Sequence, residues 1–386
     1  MTHVEPAWTV AREAAHASGR ALGVETEALD AAYERITAAP VYALTPLPPH
    51  AASAMDGWAV SGEGPWRIVG SVLAGHVRDE PLTDGQAVVI ATGAAVPAGA
   101  TAVLRSEHGR IDDAGVLHGE TVAGQDIRAA GEEITAGEQL LAAGIVLGPA
   151  HVGIAAAGGH DALQVARRAR ARVLIFGDEL LRVGPARDGR IRDSLGPQVP
   201  AWLARFGIEV VDVRWIEDTL DAHTRALADS TDVDIVVTTG GTAAGPVDYL
   251  HAALAATGGE LVVDTVACRP GHPMLLGTWG DRWLVGLPGN PQAAVVALFT
   301  LCQPLAAALH GCALPALELV TIGEAVKTRG PNTRLVPCTL VRGRATPVDH
   351  IGSGMLRGLT MADGFAVIPP GGCDANTDIH WLPLLG

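Results

Sequence analysis

At 386 residues, with 48% hydrophobic and 18% charged side chains, the chain is too long for one ordinary core and too apolar to stay disordered, so two to four compact units are expected. A formal charge of −15 argues against nucleic acid as a partner, but leaves room for a small anion where arginines or backbone N–H groups gather. Cys268, Cys302, Cys312, Cys338 and Cys373 are widely spaced and form no C-x-x-C pair, so they read as buried thiols of a reducing compartment, neither a disulfide frame nor a zinc site.

The N-terminus shows no basic start leading into an apolar run, and later apolar stretches are interrupted short of the ~20 residues that span a bilayer. A soluble, cytoplasmic chain with no membrane partner is expected. Residues 7–38 read as helical, with amphipathic spacing through Ala11, Ala14, Ala15, Leu22, Leu29 and Ala32. A proline-rich linker, 40–50, follows. From about 52 to 128, short β-like runs alternate with glycines (66–70, 86–90, 101–104, 115–117), as in a small, mostly β domain. Residues 131–159 read as a second linker with a short Ala/Gly-rich helix. The run Arg172-Val-Leu-Ile-Phe-Gly then has the continuous apolar character of a buried parallel strand. Helices over 198–206, 220–228, from Val247 and over 291–310 alternate with strands over 208–213, 234–238, 261–267 and 283–286, which defines an α/β sheet with mainly parallel strands. After Pro315 the runs 317–322, 335–341 and 364–368 read as a second small β domain. The division is a helical linker domain (1–50 and 129–168), an inserted mainly β domain (51–128), a central three-layer α/β domain (169–311) and a C-terminal β domain (312–386).

In an open α/β sheet, ligands bind beyond the carboxyl ends of the strands. Gly177-Asp178-Glu179-Leu180, Gly240-Gly241-Thr242-Ala243-Ala244-Gly245 and Leu287-Pro288-Gly289-Asn290-Pro291 all follow strands and should converge there. The glycine loop permits close backbone approach to a phosphate or pterin, or it is a plain connecting turn; Asp248 just beyond it favours a cation-bridged anion. Asp178, Glu179, Asp193 and Asp218 are each readable as a helix-start cap or as a ligand of a hard cation, and four acids at one sheet edge favour Mg²⁺. In the proline-flanked turn, Asn290 is placed to cap the following helix with Pro291 in its first turn, leaving N–H groups toward the cleft. Asp56 in Met55-Asp-Gly57 reads alone as a turn. The histidines show no H-E-x-x-H pattern, and no G-x-S-x-G elbow occurs, which disfavours zinc and serine-hydrolase chemistry.

Taken in order, Ser53 to Val60, Thr92 to Glu107, Arg128 to Gly144, Asp234 to Tyr249, Arg269-Pro-Gly-His-Pro273, Leu287 to Pro291 and Ile351 to Pro369 resemble the signature segments of the molybdopterin molybdenumtransferase family across nearly the whole chain. The resemblance implies an elongated four-domain chain that forms a homodimer, with the α/β domain binding molybdopterin. It also implies a Mg²⁺-dependent exchange in which adenylylated molybdopterin and molybdate enter, and molybdenum cofactor and AMP leave. Carried over residue by residue, catalytic roles fall on Asp56, Glu133, Glu179, Asp218 and Asp248, with Glu179, Asp218 and Asp248 as metal ligands. Binding roles fall on Thr92, Gly240, Gly241, Thr242, Gly245, Arg269, His272, Pro288, Gly289, Asn290, Pro291, Arg334 and Ser353.

This chain departs from the family pattern at several points. Glu133 stands where the pattern ends in Asp, Thr265, Arg269 and His272 replace lysines, Ala243 replaces a serine, and Leu195 replaces an asparagine. Arginine holds an anion with a different geometry from lysine, and histidine is only partly charged near neutrality. These changes motivate a second reading, a paralogue that binds molybdopterin without turnover. A molybdopterin adenylyltransferase, which needs only the α/β domain, is a third.

Overall fold

The computed structural model describes residues 2–242, 249–328 and 330–384. The chain forms two compact units, Met1–Glu25 together with Ala166–Gly386, and Thr26–Val165.

The first unit is built on a seven-stranded sheet in the order His3–Val4, Glu260–Asp264, Leu275–Trp279, Arg282–Leu287, Ile235–Thr239, Arg170–Phe176, Glu209–Ile216. The last four are mutually parallel, and Leu275–Trp279 runs antiparallel to both of its neighbours. Side chains alternate between two apolar layers, as the pleat requires. Val173 and Ile175 join the layer under the helices Trp8–Ser18, Leu195–Arg205 and Pro291–Leu309, whereas Leu174 and Phe176 join that under Leu220–Ala228 and Leu250–Ala256. The expected three-layer α/β arrangement is therefore present. Leu275–Trp279 was not foreseen; it pairs with Arg282–Leu287 across the tight turn Gly280-Asp281, where Gly280 takes φ +57°.

Pro291–Leu309 is long and apolar enough to cross a membrane by length and composition alone (19 residues, mean hydropathy 1.7), yet 89% of it is buried inside this fold. The helix is α-helical over Pro291–Ala297 and Gln303–Leu309 and widens to a π-turn over Leu298–Cys302. Pro304 explains the widening, since it lacks an N–H and its ring would strike the carbonyl four residues back. Buried Arg12 donates from Nη1 to the Phe299 carbonyl within that turn (2.7 Å) and from Nη2 to the Pro315 carbonyl (3.1 Å). Burial pulls its guanidinium down to about 10.

Residues 7–38 are not helical throughout, contrary to their spacing. The helix stops at Ser18, Val24–Ala28 is a strand, and Leu29–Ala31 is one 3-10 turn. Packing decides the stop: a Cβ on Gly19 would lie 2.6 Å from Ala308 Cβ, so helix and glycine are set by the neighbouring helix.

The C-terminal part of this unit is a closed barrel. Thr333–Val341, Arg344–Pro347, Glu318–Ile322, Asp378–Pro383 and Gly364–Ile368 pair in turn, and the last returns to pair with the first. Closure removes the exposed edge of a small sheet. The two-residue strand Cys268–Arg269 adds parallel to Thr333–Arg334.

In the second unit, six strands order as Ala102–Arg105, Gly57–Val60, Gln86–Ile90, Trp66–Val72, Val116–His118, Arg110–Ile111, matching the expected small β domain. Short ribbons (Ala52–Ser53 with Ile127–Arg128, Val41–Tyr42 with Gln139–Leu141) and the helix Pro149–Ala157 complete it.

Candidate functional site

The parallel register sets one sheet edge. Phe176 pairs with Ile216, so Asp178 and Glu179 leave the sheet beside Asp218. The Asp178 backbone N–H donates to Asp218 Oδ2 (3.3 Å). Asp178 and Glu179 are exposed, and Gly177 is required at their base: it takes φ +136°, and a Cβ there would sit 2.8 Å from Glu179 Oε2. Thr239 pairs with Leu287, which lays Gly240, Gly241 and Thr242 against Pro288, Gly289 and Asn290. The Gly240 N–H donates to the Leu287 carbonyl (2.8 Å), and a Cβ on Gly289 would meet Gly240 Cα at 4.0 Å. Three of the loops singled out from sequence thus share the carboxyl edge. Gly245 and Asp248, with Ala243 between the glycines, lie outside the described residues.

One residue of this edge was missed by the motif reading. His223, in the first turn of Leu220–Ala228, is fully buried and stacked on Phe176 (3.7 Å between centroids, 13°), with Tyr249 edge-on at 5.7 Å. Its Nε2 lies 3.6 Å from Asp218 Oδ1, and neither ring nitrogen has a hydrogen-bond partner among the described residues. Burial pulls its pKa down to about 4, against the pull of the Asp178 charge, so the ring is neutral at pH 7.

The helix starting at Pro291 departs from the expected cap. Asn290 occupies the N-cap position, but its side chain makes no capping bond. The Ser353 carbonyl takes that place, accepting from the Gln292 N–H (2.9 Å) and the Ala293 N–H (3.3 Å). Two N–H groups expected to face the cleft are therefore already satisfied. Ser353 is exposed, and a Cβ on neighbouring Gly354 would lie 3.6 Å from Asn290 Oδ1, so the barrel loop carrying Ser353 meets the proline turn.

Asp193 resolves as a cap. It is buried, its Oδ1 accepts from the Leu195 and Gly196 N–H groups (2.9 and 2.8 Å), and its Oδ2 accepts from Trp215 Nε1 (3.0 Å). One oxygen is spent on the start of the helix Leu195–Arg205 and the other on the indole of the strand Glu209–Ile216.

The cationic residues separate into two places. Arg269 and Arg334 are direct neighbours in register; Arg269 is exposed and donates to the Cys268 carbonyl, while Arg334 donates to the Lys327 carbonyl. His272 instead pairs with Glu5 (3.0 Å). Thr265 takes φ +58° and donates to the Asp264 carbonyl (2.6 Å).

Asp56, Thr92 and Glu133 belong to the second unit. Asp56 Oδ1 accepts from the Thr92 backbone N–H (2.7 Å) and hydroxyl (3.0 Å), and these two bonds hold its carboxyl below the usual range. Gly57 is obligatory beside it, because a Cβ would come 2.0 Å from the Leu104 carbonyl oxygen. Glu133 is exposed, and its backbone N–H donates to Leu47. All five cysteines are free; Cys268, Cys302 and Cys338 are buried as expected, whereas Cys312 and Cys373 are only half-buried.

The domain that carries this acid-lined, glycine-floored edge places the chain in a class, that of chains with a molybdopterin-binding α/β domain. Residues 172–308 match the family described as "Probable molybdopterin binding domain", flanked by matches to "MoeA N-terminal region (domain I and II)" over 2–159 and "MoeA C-terminal region (domain IV)" over 320–384. A molybdopterin molybdenumtransferase of Staphylococcus aureus is 30% identical over 367 residues, covering 90% of this chain and 87% of that one. One from Haemophilus influenzae is 32% identical over 292 residues, covering 73% and 72%. The crystal structure of a molybdopterin biosynthesis moea protein from Pyrococcus horikosii shares the fold, with a TM-score of 0.83 at 24% identity over 99% of this chain and all of that one. The chain belongs to the molybdopterin molybdenumtransferase family, and its function lies in molybdenum cofactor biosynthesis.

Proposed function

We propose that the chain catalyses insertion of molybdate into adenylylated molybdopterin with release of AMP, using Mg²⁺, as a cytoplasmic homodimer of four-domain subunits. The observation that carries this reading is the convergence of Asp178, Glu179, Asp218, the Gly240–Thr242 loop and the Pro288–Asn290 turn on one sheet edge. The names and near-full coverage of the curated relatives support the reaction class, and the three matched regions support the four-domain division.

The donor chemistry fits Mg²⁺. Glu179 and Asp218 offer hard carboxylate oxygens at the edge, while no cluster of three or more metal-binding side chains is assembled among the described residues. That suits an ion held by one or two carboxylates, water and substrate oxygens better than a closed protein cage. Bound there, Mg²⁺ would offset the negative charge of the phosphate and of the departing AMP. The chain's own residues do the rest. Gly240 and Gly241, with φ +83° and +70°, let the backbone lie close to the pterin or its phosphate. Arg269 and Arg334, neighbours in register, offer guanidinium groups to an oxyanion. Asp56, kept ionised by Thr92, serves as a carboxylate, and Glu133 stands in the family's acidic position. Asp248 keeps the metal-binding role assigned from sequence.

The test is direct: purified chain, Mg²⁺, molybdate and adenylylated molybdopterin are combined and AMP is measured. AMP at the no-protein level overturns the reading. Tight molybdopterin binding without AMP selects the non-catalytic paralogue, which the His272–Glu5 pair and Thr265 favour because both take cationic strength from the cleft.

A further inference from the structure

The fully buried imidazole of His223 has no role in the reading above. A neutral imidazole carries one N–H and one lone pair, and burying either unmatched costs on the order of 1–3 kcal/mol. Here both nitrogens lack a partner among the described residues, although the ring is fixed on both sides. Phe176 stacks on its face and Tyr249 meets it edge-on, so it cannot turn toward solvent. The polar atom set before it is Asp218 Oδ1, 3.6 Å from Nε2 and just beyond hydrogen-bond reach. The other oxygen, Oδ2, is already held by the Asp178 N–H.

We infer that His223 is a positioning residue for Asp218: its Nε2–H closes onto Oδ1 when the carboxylate takes up its divalent cation, fixing the carboxylate's orientation through the oxygen that the Asp178 N–H does not hold. The inference rests on the Mg²⁺ reading of Glu179 and Asp218. Hydrogen bonds to a liganding carboxylate orient it, and removing such a bond typically weakens metal binding 10–100-fold. The stacking also links three segments of the edge, since Phe176 ends the strand leading to Asp178, His223 follows Asp218, and Tyr249 leads into Leu250–Ala256.

The experiment uses the full chain without substrate and Mn²⁺ as the spectroscopic stand-in for Mg²⁺, with binding followed by electron paramagnetic resonance. His223→Leu keeps the bulk and removes the N–H; His223→Gln restores a donor. The expected result is Mn²⁺ binding at least tenfold weaker in His223→Leu, with thermal stability equal to or above wild type because a buried unmatched polar group is gone. His223→Gln is expected to recover most of the affinity. Affinity of His223→Leu within twofold of wild type overturns the inference while leaving the Mg²⁺ reading intact. Wild-type protein that binds no Mn²⁺ overturns both. Should His223→Leu fail to fold, His223→Gln decides: binding within threefold of wild type supports the donor role, and weaker binding overturns it.

Discussion

Asp193 separates a structural carboxylate from a liganding one. In Asp193→Ala the helix Leu195–Arg205 loses an acceptor shared by its first two N–H groups, and Trp215 loses the partner of its indole N–H. Losing a helix cap costs about 1–2 kcal/mol. Leaving the half-buried Trp215 donor unmatched costs up to about 1–3 kcal/mol more. The combined local loss, about 2–5 kcal/mol, corresponds to amide exchange at least ~30-fold faster through that helix, at 1.4 kcal/mol per factor of ten. Hydrogen exchange read by mass spectrometry on peptides spanning 195–205 measures it, and Mn²⁺ affinity of the same variant is expected to stay at the wild-type value. Asp193→Asn should cost less, because its carbonyl still serves the two helix N–H groups while its amide turns a donor toward Trp215. Unchanged exchange combined with lost Mn²⁺ binding would refute the reasoning and return Asp193 to the cation.

Asp218→Asn, which removes a charge but little volume, is expected to lower AMP release at least a hundredfold with unfolding temperature shifted by only a few degrees; retained turnover removes Asp218 from the site. EDTA should abolish AMP release and added Mg²⁺ restore it, and turnover that survives chelation excludes a divalent ion. Arg269→Glu is expected to raise the KM for molybdate tenfold or more with a smaller change in kcat; an effect confined to kcat argues against anion binding beside Arg334. Burial pushes the Cys268, Cys302 and Cys338 thiols up to about 12, so only Cys312 and Cys373 should react with Ellman's reagent in the native chain at pH 8. Because these folded pKa values are raised, the unfolded chain sheds protons first. The stabilisation they provide is complete below the ordinary thiol value near 9 and is lost as pH rises toward 12. Urea unfolding titrated from pH 8 upward should show that fall, and a flat profile would count against it.

The central sheet was legible because burial on both faces leaves a mark: Val173 to Phe176 is a continuous apolar run ending at Gly177, as a covered parallel strand requires. Elsewhere local pattern and tertiary context disagreed. Ala-rich spacing after Gly19 looks helical, yet Val24–Ala28 is a strand. Leu275–Trp279 has no counterpart among the expected strands: Gly277 and Thr278 interrupt its apolar character, and only the two-residue Gly280-Asp281 turn separates it from Arg282–Leu287. No motif marks a π-turn; it follows from Pro304 being held inside a buried helix whose surroundings repay the lost bond, including Arg12 on the Phe299 carbonyl.

At the site, glycines and prolines at strand ends were enough to find the edge, because topology brings strand ends together whatever the side chains are. Sorting the acids was harder, since a carboxylate that caps a helix and one that holds a cation occupy the same kind of position. Only the hydrogen bonds separate them, with Asp193 spent on two helix N–H groups and an indole while Asp178 and Glu179 remain exposed. His223 did leave a trace in the sequence. In Leu220–Ala228 the buried residues are His223, Ala226 and Leu227, an i, i+3, i+4 stripe that puts an imidazole where an apolar residue would pack. A polar residue on such a stripe, five positions after an acid at a strand end, is a pattern that needs only helical periodicity and strand topology to be seen.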